Sequence, residues 1–235
     1  MDFKKSKKNS EEEPEEEPEE EPEEAPEEES GPQVVFLNGF QDNGSDELSK
    51  MRMAALYGEV DEEKAAELTY TLFALKNTGR VEEPENPDDE ESKLIVRYEP
   101  IELFISTYGG SAIEMFSIYD TMRSIRDECE IHTIGLGKVM SAGVLLLAAG
   151  TKGKRKIGAN CRVMLHGVIA GSQGSIYSLE NEMEEIRFVQ EQHINALVKE
   201  TKMTKRYLKK LLNREVNVYF TAKKAVELGI ADEII

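Results

Sequence analysis

Residues 101–125 read IELFISTYGGSAIEMFSIYDTMRSI, which joins a buried-strand pattern to a glycine turn and an amphipathic helix. The apolar run at 101–106 predicts a strand, residues 107–110 a sharp turn, and residues 112–125 a helix. Four side chains are expected on the inward face of that helix: Met115, Phe116, Tyr119 and Met122. Because a buried strand that feeds a helix is the unit of parallel sheets, this stretch predicts an α/β fold.

The same order of strand, turn and helix recurs farther along the chain. A second unit has a strand at 131–136, a turn at 137–141 and an apolar helix at 142–149, and a strand at 162–166 starts a third. Folds of this kind gather chemistry at the carboxyl ends of their strands. We therefore expect Ser141, His166 and the turn Gly109-Gly110 at one edge of a mostly parallel sheet.

A long helix is predicted over residues 176–200, where apolar residues lie on more than one side. One stripe holds Leu179, Met183 and Ile186, and a second holds Ile194, Leu197 and Val198. Such a helix suits packing against a partner subunit as well as against its own domain.

Two helices and a strand are predicted before residue 101. The first helix starts at Ser45 and a strand over 55–60 follows it; the helix is expected to carry three apolar residues on one face: Leu48, Met51 and Ala55. Asp61 is expected to cap the second helix, whose buried stripe has four members: Ala65, Leu68, Leu72 and Leu75. Residues 78–93 are polar and contain prolines, which predicts a long loop, either an insertion or a flexible lid.

An acidic segment precedes these elements. Residues 1–33 carry four basic and 15 acidic side chains, and the net charge of the whole chain is −18. Residues 11–29 repeat glutamate and proline, which predicts disorder because like charges repel and proline breaks helices and strands. This tail is a solvating extension, a lure for a basic partner or a removable propeptide. Residues 34–44 are rich in turn signals, and residues 45–235 are expected to form one domain.

Composition excludes several classes of function. The acidic balance argues against a nucleic-acid surface and against binding to anionic membranes. The longest apolar run, residues 144–149, is far shorter than the roughly 18 residues of a membrane helix. No signal peptide is evident, and Cys129 and Cys161 show no metal-binding spacing, so free thiols in the cytoplasm are expected. With three histidines in the chain, a multi-histidine metal site is not expected.

The residues themselves are compatible with a serine hydrolase. Ser141 precedes an apolar helix, where the N–H of Ala142 has no partner within the helix. Gly109-Gly110 opens another helix, and His166 ends a strand. Each feature also has an ordinary structural reading, as a helix cap, a turn or a core histidine, and spacing alone does not define a catalytic triad.

Five motifs resemble the proteolytic subunit of the Clp-type ATP-dependent protease, a family of self-compartmentalising serine peptidases, over residues 45–235. They are SIYDTM at 117–122, GKVMSAG at 137–143, AGTKGKR at 149–155, RVMLH at 162–166, and FTA at 220–222 with ELGIADEI at 227–234. The resemblance implies a ClpP/crotonase-like α/β fold. That fold is a repeated β-β-α spiral from which a handle helix, here the helix from residue 176, protrudes.

The resemblance also implies roles for individual residues. Ser141 is similar to the nucleophile and His166 to its general base, while Gly110 and Ala142 match the backbone donors of the oxyanion hole. The substrate-binding strand corresponds to residues 167–174, of which four are expected to contact the peptide: Gly167, Val168, Ile169 and Ala170.

The third triad position departs from the family pattern. Asn217 stands where the family has aspartate; an amide can hold a histidine tautomer but cannot stabilise imidazolium as a carboxylate does. Glu215 is the nearest substitute carboxylate. Val216 replaces an arginine that helps two rings pair in the family, which disfavours the stacking of two rings. The acidic tail, segment 34–44 and the loop 78–93 have no clear counterpart in the family, and segment 34–44 is the candidate for its axial-pore loops.

The implied function is that of a cytoplasmic serine endopeptidase subunit that hydrolyses unfolded polypeptides to short peptides through an acyl-enzyme. It would assemble as a heptameric ring or double ring fed by a hexameric AAA+ unfoldase, with no metal or organic cofactor and no nucleic-acid or membrane partner. The alternative is a catalytically weakened or inactive structural ring subunit. A crotonase-type enzyme would need a coenzyme A pocket, of which the sequence gives no sign.

Overall fold

A computed structural model describes residues 51–89, 92–214 and 216–235. The predictions for the tail 1–33, for segment 34–44 and for Glu215 lie outside these residues. Of the helix predicted from Ser45, residues 51–55 are described, and they are not helical. Met51 precedes the first strand and Ala55 lies inside it, so the predicted helical face was wrong at these two positions.

Nine strands and six helices follow one another along the described chain. In order they are β1 Met53–Val60, α1 Glu62–Thr78, β2 Arg80–Pro84, β3 Leu94–Tyr98, β4 Ile101–Gly110, α2 Ala112–Ile125, β5 Ile131–Met140, α3 Ala142–Ala148, β6 Lys156–Ile157, β7 Arg162–Leu165, α4 Ile176–Glu200, α5 Lys205–Leu212, β8 Val218–Phe220, α6 Ala222–Glu227 and β9 Glu233–Ile234.

Seven of these strands form one sheet. The order β1-β4-β5-β6-β9 is parallel throughout. Strand β7 also pairs with β5 in parallel, and β8 joins β7 as an antiparallel neighbour. The prediction of an α/β fold with a mostly parallel sheet is confirmed.

Local signals place the predicted helices correctly. The Asp61 carboxylate accepts a hydrogen bond of 2.9 Å from the backbone N–H of Lys64 and caps α1, whose four predicted core residues are all buried. Helices α2 and α4 have the predicted bounds. In α2 the buried face includes Ile118 and Ile125, while Phe116 is half-buried at the margin of the core.

Three sequence predictions were wrong because strand pairing is not local. Residues 137–141 were predicted as a turn, but residues 137–140 extend β5 beside β7. Residues 78–93 were predicted as a loop, but 80–84 form β2, which pairs antiparallel with β3 as a separate two-stranded sheet. Residues 107–110 were predicted as a turn, but they extend β4, and Gly110 lies opposite Val60 of β1.

The hydrophobic core surrounds α3. All seven residues of α3 are buried, and the helix packs against β4, β5, β7, α2 and α4. A helix enclosed in this way holds its first residue, and therefore Ser141 before it, in a fixed position. Within the described part of the chain, no helix combines the length and apolarity that crossing a membrane requires.

Candidate active site

Ser141 occupies a sharp bend between β5 and α3. Its backbone dihedrals are φ 51° and ψ −117°, and it has the only positive φ of any non-glycine residue in the described chain. Its N–H donates a 2.8 Å hydrogen bond to the carbonyl of Met164 in β7. Such a conformation costs about 1–3 kcal/mol and persists where the surroundings enforce it, as at the nucleophile of hydrolases with a strand-to-helix elbow.

The Gly109-Gly110 pair makes room for that bend. A Cβ on Gly109, whose φ is 104°, would lie 2.6 Å from the Cβ of Ser141. A Cβ on Gly110 would lie 2.3 Å from the carbonyl oxygen of Val60. Both positions therefore require glycine: Gly109 because it lies against the candidate nucleophile, and Gly110 because it lies against the neighbouring strand β1.

His166 follows β7 directly and is half-buried. Its Nδ1 lies 2.5 Å from the carbonyl oxygen of Gly167. Because a carbonyl oxygen can only accept, Nδ1 carries the hydrogen, and the neutral ring then has its lone pair on Nε2. Within the described chain no hydrogen bond joins the His166 ring to the hydroxyl of Ser141; contacts of this type often tighten only when substrate binds.

One cavity of about 300 Å³ brings most of the predicted site residues together. It is lined by seven of them: Gly110, Ser141, Ala142, His166, Gly167, Val168 and Ile169. Ala170 does not line the cavity and is exposed. The convergence follows from topology, because β4, β5 and β7 run parallel and their carboxyl ends meet at one edge.

A sequence model of the Clp protease family matches residues 93–235. The chain belongs to the Clp protease family. The matched region contains every residue of this cavity, and membership makes the chain a peptidase, a hydrolase of peptide bonds. The mostly parallel sheet with its six helices is consistent with the fold of this family.

In this Clp protease, Asn217 is not joined to His166. Asn217 is exposed, does not line the cavity and has no hydrogen bond to the His166 ring, whose Nδ1 is paired with Gly167. Strand register nevertheless brings the two residues near each other. Leu165 of β7 lies opposite Val218 of β8, so continuing this antiparallel pairing by one residue sets Asn217 opposite His166. The expected hydrogen bond between Asn217 and the His166 ring is therefore absent, although the β7–β8 register sets the two residues opposite each other.

Two residues of α4 reach the site and were not predicted from the sequence. The side-chain carbonyl of Gln190 accepts a 3.0 Å hydrogen bond from the backbone N–H of Val168, and His193 lines the cavity. The sequence did contain one signal for His193, namely helical spacing: His193 precedes the buried Leu197 by four residues and therefore lies on the same face of α4. That signal predicts burial, whereas contact with the site depends on where α4 packs.

The pKa of His193 is strongly lowered. Burial, and secondly the charge of nearby His166, lower the pKa of this imidazole to about 4. His193 is therefore neutral at pH 7, with each ring nitrogen limited to one hydrogen bond.

Proposed function

We propose that this Clp protease family member is a serine endopeptidase subunit of a self-compartmentalising, ATP-dependent protease, with Ser141 as nucleophile and His166 as general base. The observation that carries the proposal is the shared cavity, in which the strained Ser141 and the His166 ring meet beside Gly110 and Ala142.

The proposed reaction is amide hydrolysis in two steps. The Ser141 hydroxyl bonds to the substrate carbonyl carbon while its proton passes to Nε2 of His166. The backbone N–H groups of Gly110 and Ala142 stabilise the negative oxygen. Collapse of the intermediate breaks the C–N bond, and His166 gives its proton to the leaving amine. Water, activated by the same ring, then releases the acyl group from Ser141.

The tautomer of His166 supports this assignment. The hydrogen bond to the Gly167 carbonyl holds the hydrogen on Nδ1 and leaves Nε2 free to accept the serine proton. We propose that Asn217 takes over this role during the reaction, since strand register sets it opposite His166. An amide would fix the tautomer but stabilise the imidazolium less than aspartate would.

Residues 167–170 are proposed to bind the peptide. Gly167, Val168 and Ile169 line the cavity, and the segment from Gly167 to Gly174 has no regular secondary structure in the chain itself. An extended substrate can pair with such a segment through backbone hydrogen bonds. Ala170 would contact residues of the substrate farther from the attacked carbonyl.

The assembly is proposed from the family. We propose a heptameric ring or double ring that receives unfolded polypeptides from a hexameric AAA+ unfoldase in the cytoplasm. Free and buried Cys129 and Cys161 are compatible with a reducing compartment. Measurement of the native particle mass tests this point. A heptameric ring has seven times, and a double ring fourteen times, the 26.5 kDa mass of the chain. A particle with the mass of a single chain contradicts the proposed assembly.

Labelling with a fluorophosphonate serine probe tests the chemistry. The full-length protein is expected to be labelled, and Ser141→Ala is expected to abolish labelling because the attacking oxygen is lost. Asn217→Asp is expected to raise the rate of labelling if residue 217 orients His166. Labelling that survives Ser141→Ala would overturn the assignment of the nucleophile.

A structural ring subunit is the second candidate function. It is favoured by one observation, namely that no side chain holds Nδ1 of His166 in the described chain. This candidate predicts ring-sized particles that show no labelling of Ser141, even after Asn217→Asp. Labelling of assembled wild-type rings would exclude it.

A further inference from the structure

His193 lines the cavity beside Ser141, and its ring carries a buried polar atom without a partner. His193 is 5% exposed. Its Nε2 is the only buried side-chain nitrogen or oxygen in the described residues that has no hydrogen bond. Buried polar groups of native proteins are nearly always paired, so an unpaired atom on a residue that lines a cavity points to a hydrogen bond that a bound ligand supplies.

The wall of the cavity that His193 lines exposes polar and apolar surface in nearly equal amounts. Besides the reacting groups, the cavity wall is formed largely by apolar side chains and glycine: Gly110, Ala112, Met115, Ala142, Gly167, Val168 and Ile169. Tyr108 and Ser111 complete the wall, and Tyr108 is largely exposed. A side chain that enters this space can therefore combine apolar contacts with a hydrogen bond to His193, and specific ligand sites commonly join a few placed polar groups to apolar contacts.

The charge state of His193 limits which side chains fit. Burial and the charge of His166 keep its pKa at about 4, so the ring is neutral at pH 7. A substrate carboxylate would then find no cation to offset its desolvation, and an ammonium or guanidinium group would be buried near the His166 imidazolium that forms during the reaction. A neutral amide carries both a donor and an acceptor, and so pairs with either tautomer of His193.

We propose that His193 is a specificity-determining residue whose Nε2 binds the substrate side chain next to the attacked carbonyl, and that the cavity prefers glutamine or asparagine there. This inference rests on the proposed function, since it takes the residue attacked by Ser141 as its reference point. A site built around a hydrogen bond discriminates strongly against analogues that lack the matching group.

Binding of product-like peptides tests the inference without requiring turnover. We would measure, by calorimetry at pH 7, the binding of acetylated tetrapeptides that end in glutamine, methionine or glutamate to the full-length protein. Glutamine and methionine are similar in length, so their comparison isolates the amide. The glutamine peptide is expected to bind about tenfold more tightly than the methionine peptide, which corresponds to about 1.4 kcal/mol.

Substitution of His193 links that preference to one atom. His193→Met is expected to bring the glutamine-to-methionine ratio close to one, while His193→Gln, which keeps a hydrogen-bonding amide, retains part of it. His132→Met is the matched control, because His132 lies outside the cavity and pairs with Glu130. An unchanged ratio in His193→Met, tightest binding of the glutamate peptide, or no binding of any peptide would overturn the proposal.

A spectroscopic measurement covers the case in which the variants do not fold. The ¹⁵N resonance of His193 Nε2 in the wild-type protein is expected to shift with the glutamine peptide and not with the methionine peptide. Equal shifts with both peptides contradict a specific hydrogen bond. Failure of the proposed function shows separately, as absent fluorophosphonate labelling in a protein whose peptide preference still depends on His193.

Discussion

The backbone of Ser141 is held in a strained conformation by contacts on two sides. The carbonyl of Met164, in β7, accepts a hydrogen bond from the Ser141 N–H. Gly109 approaches the Ser141 side chain so closely that a Cβ on Gly109 would lie 2.6 Å from the Cβ of Ser141. The backbone position of Ser141 is thus set by neighbours that are distant in sequence. Positioning of the nucleophile should be sensitive to a single methyl group at Gly109.

Gly109→Ala is expected to abolish or greatly slow labelling of Ser141, because the new methyl group displaces the serine side chain. The matched control is Gly153→Ala. Gly153 also has a positive φ, of 84°, but a Cβ there meets no atom within 4 Å. Gly153→Ala should lose about 1 kcal/mol of stability from backbone strain. Gly109→Ala should lose more, because its Cβ also collides with Ser141, and only Gly109→Ala should lose labelling. Normal labelling of Gly109→Ala would contradict the close approach described here.

At the scale of elements, α4 supports the segment that follows β7. The side-chain oxygen of Gln190 accepts a hydrogen bond from the N–H of Val168, and a Cβ on Gly167 would lie 3.1 Å from that oxygen. The helix therefore holds the beginning of the proposed peptide-binding segment through a single amide. Because that segment has no regular secondary structure, this hydrogen bond should dominate its local stability.

Gln190→Ala is expected to speed hydrogen exchange at the Val168 amide about fivefold, the factor that corresponds to a hydrogen bond of about 1 kcal/mol. Exchange measured by NMR or mass spectrometry on the full-length protein gives the value. Gln192→Ala is the control, since Gln192 is exposed on the same helix. Equal effects of the two substitutions would mean that the hydrogen bond to Val168 does not hold the segment.

On the scale of the whole molecule, Glu200 connects three parts of the fold. Its buried carboxylate accepts hydrogen bonds from Tyr119 at 2.9 Å and from Arg126 at 2.9 and 3.0 Å, and it pairs with Lys152 at 2.9 Å. These groups come from α2, from the residue after it and from the loop after α3. Arg155 adds a 2.8 Å bond to the backbone carbonyl of Glu200.

Glu200→Gln is expected to lower the free energy of unfolding by about 3 kcal/mol, because it leaves Arg126 without its buried counter-charge. Tyr119→Phe removes one hydrogen bond from the same cluster and should cost about 1 kcal/mol. Urea denaturation of both variants provides the comparison. A loss in Glu200→Gln no greater than that in Tyr119→Phe would show that the ion pairs contribute little.

The same cluster predicts how stability depends on pH. Burial raises the pKa of Glu200, but hydrogen bonds from Arg126 and Lys152 outweigh burial and lower the pKa to about 2. The unfolded chain has a pKa near 4.5 and takes up the proton first as pH falls. The stabilisation is thus complete above pH 4.5 and is lost toward pH 2. Over this range the unfolding midpoint of the wild type should fall more steeply than that of Glu200→Gln; parallel curves would contradict the assignment.

The sequence was sufficient for features that depend on neighbouring residues. Caps and apolar spacing predicted α1, α2 and α4 correctly, since a helix is stabilised by contacts within a few residues. The order of strands and helices also predicted that Ser141, His166 and Gly110 would meet, because parallel strands bring their carboxyl ends to one edge.

Tertiary structure alone decided the features that depend on distant pairing. Strand β2 and the end of β4 exist because partners elsewhere in the chain complete their hydrogen bonds, and a local pattern contains no information about such partners. The same holds for His193 and Gln190, whose contacts depend on where α4 packs. Side-chain rotation, which local sequence does not encode, decides that the His166 ring pairs with Gly167 rather than with Asn217.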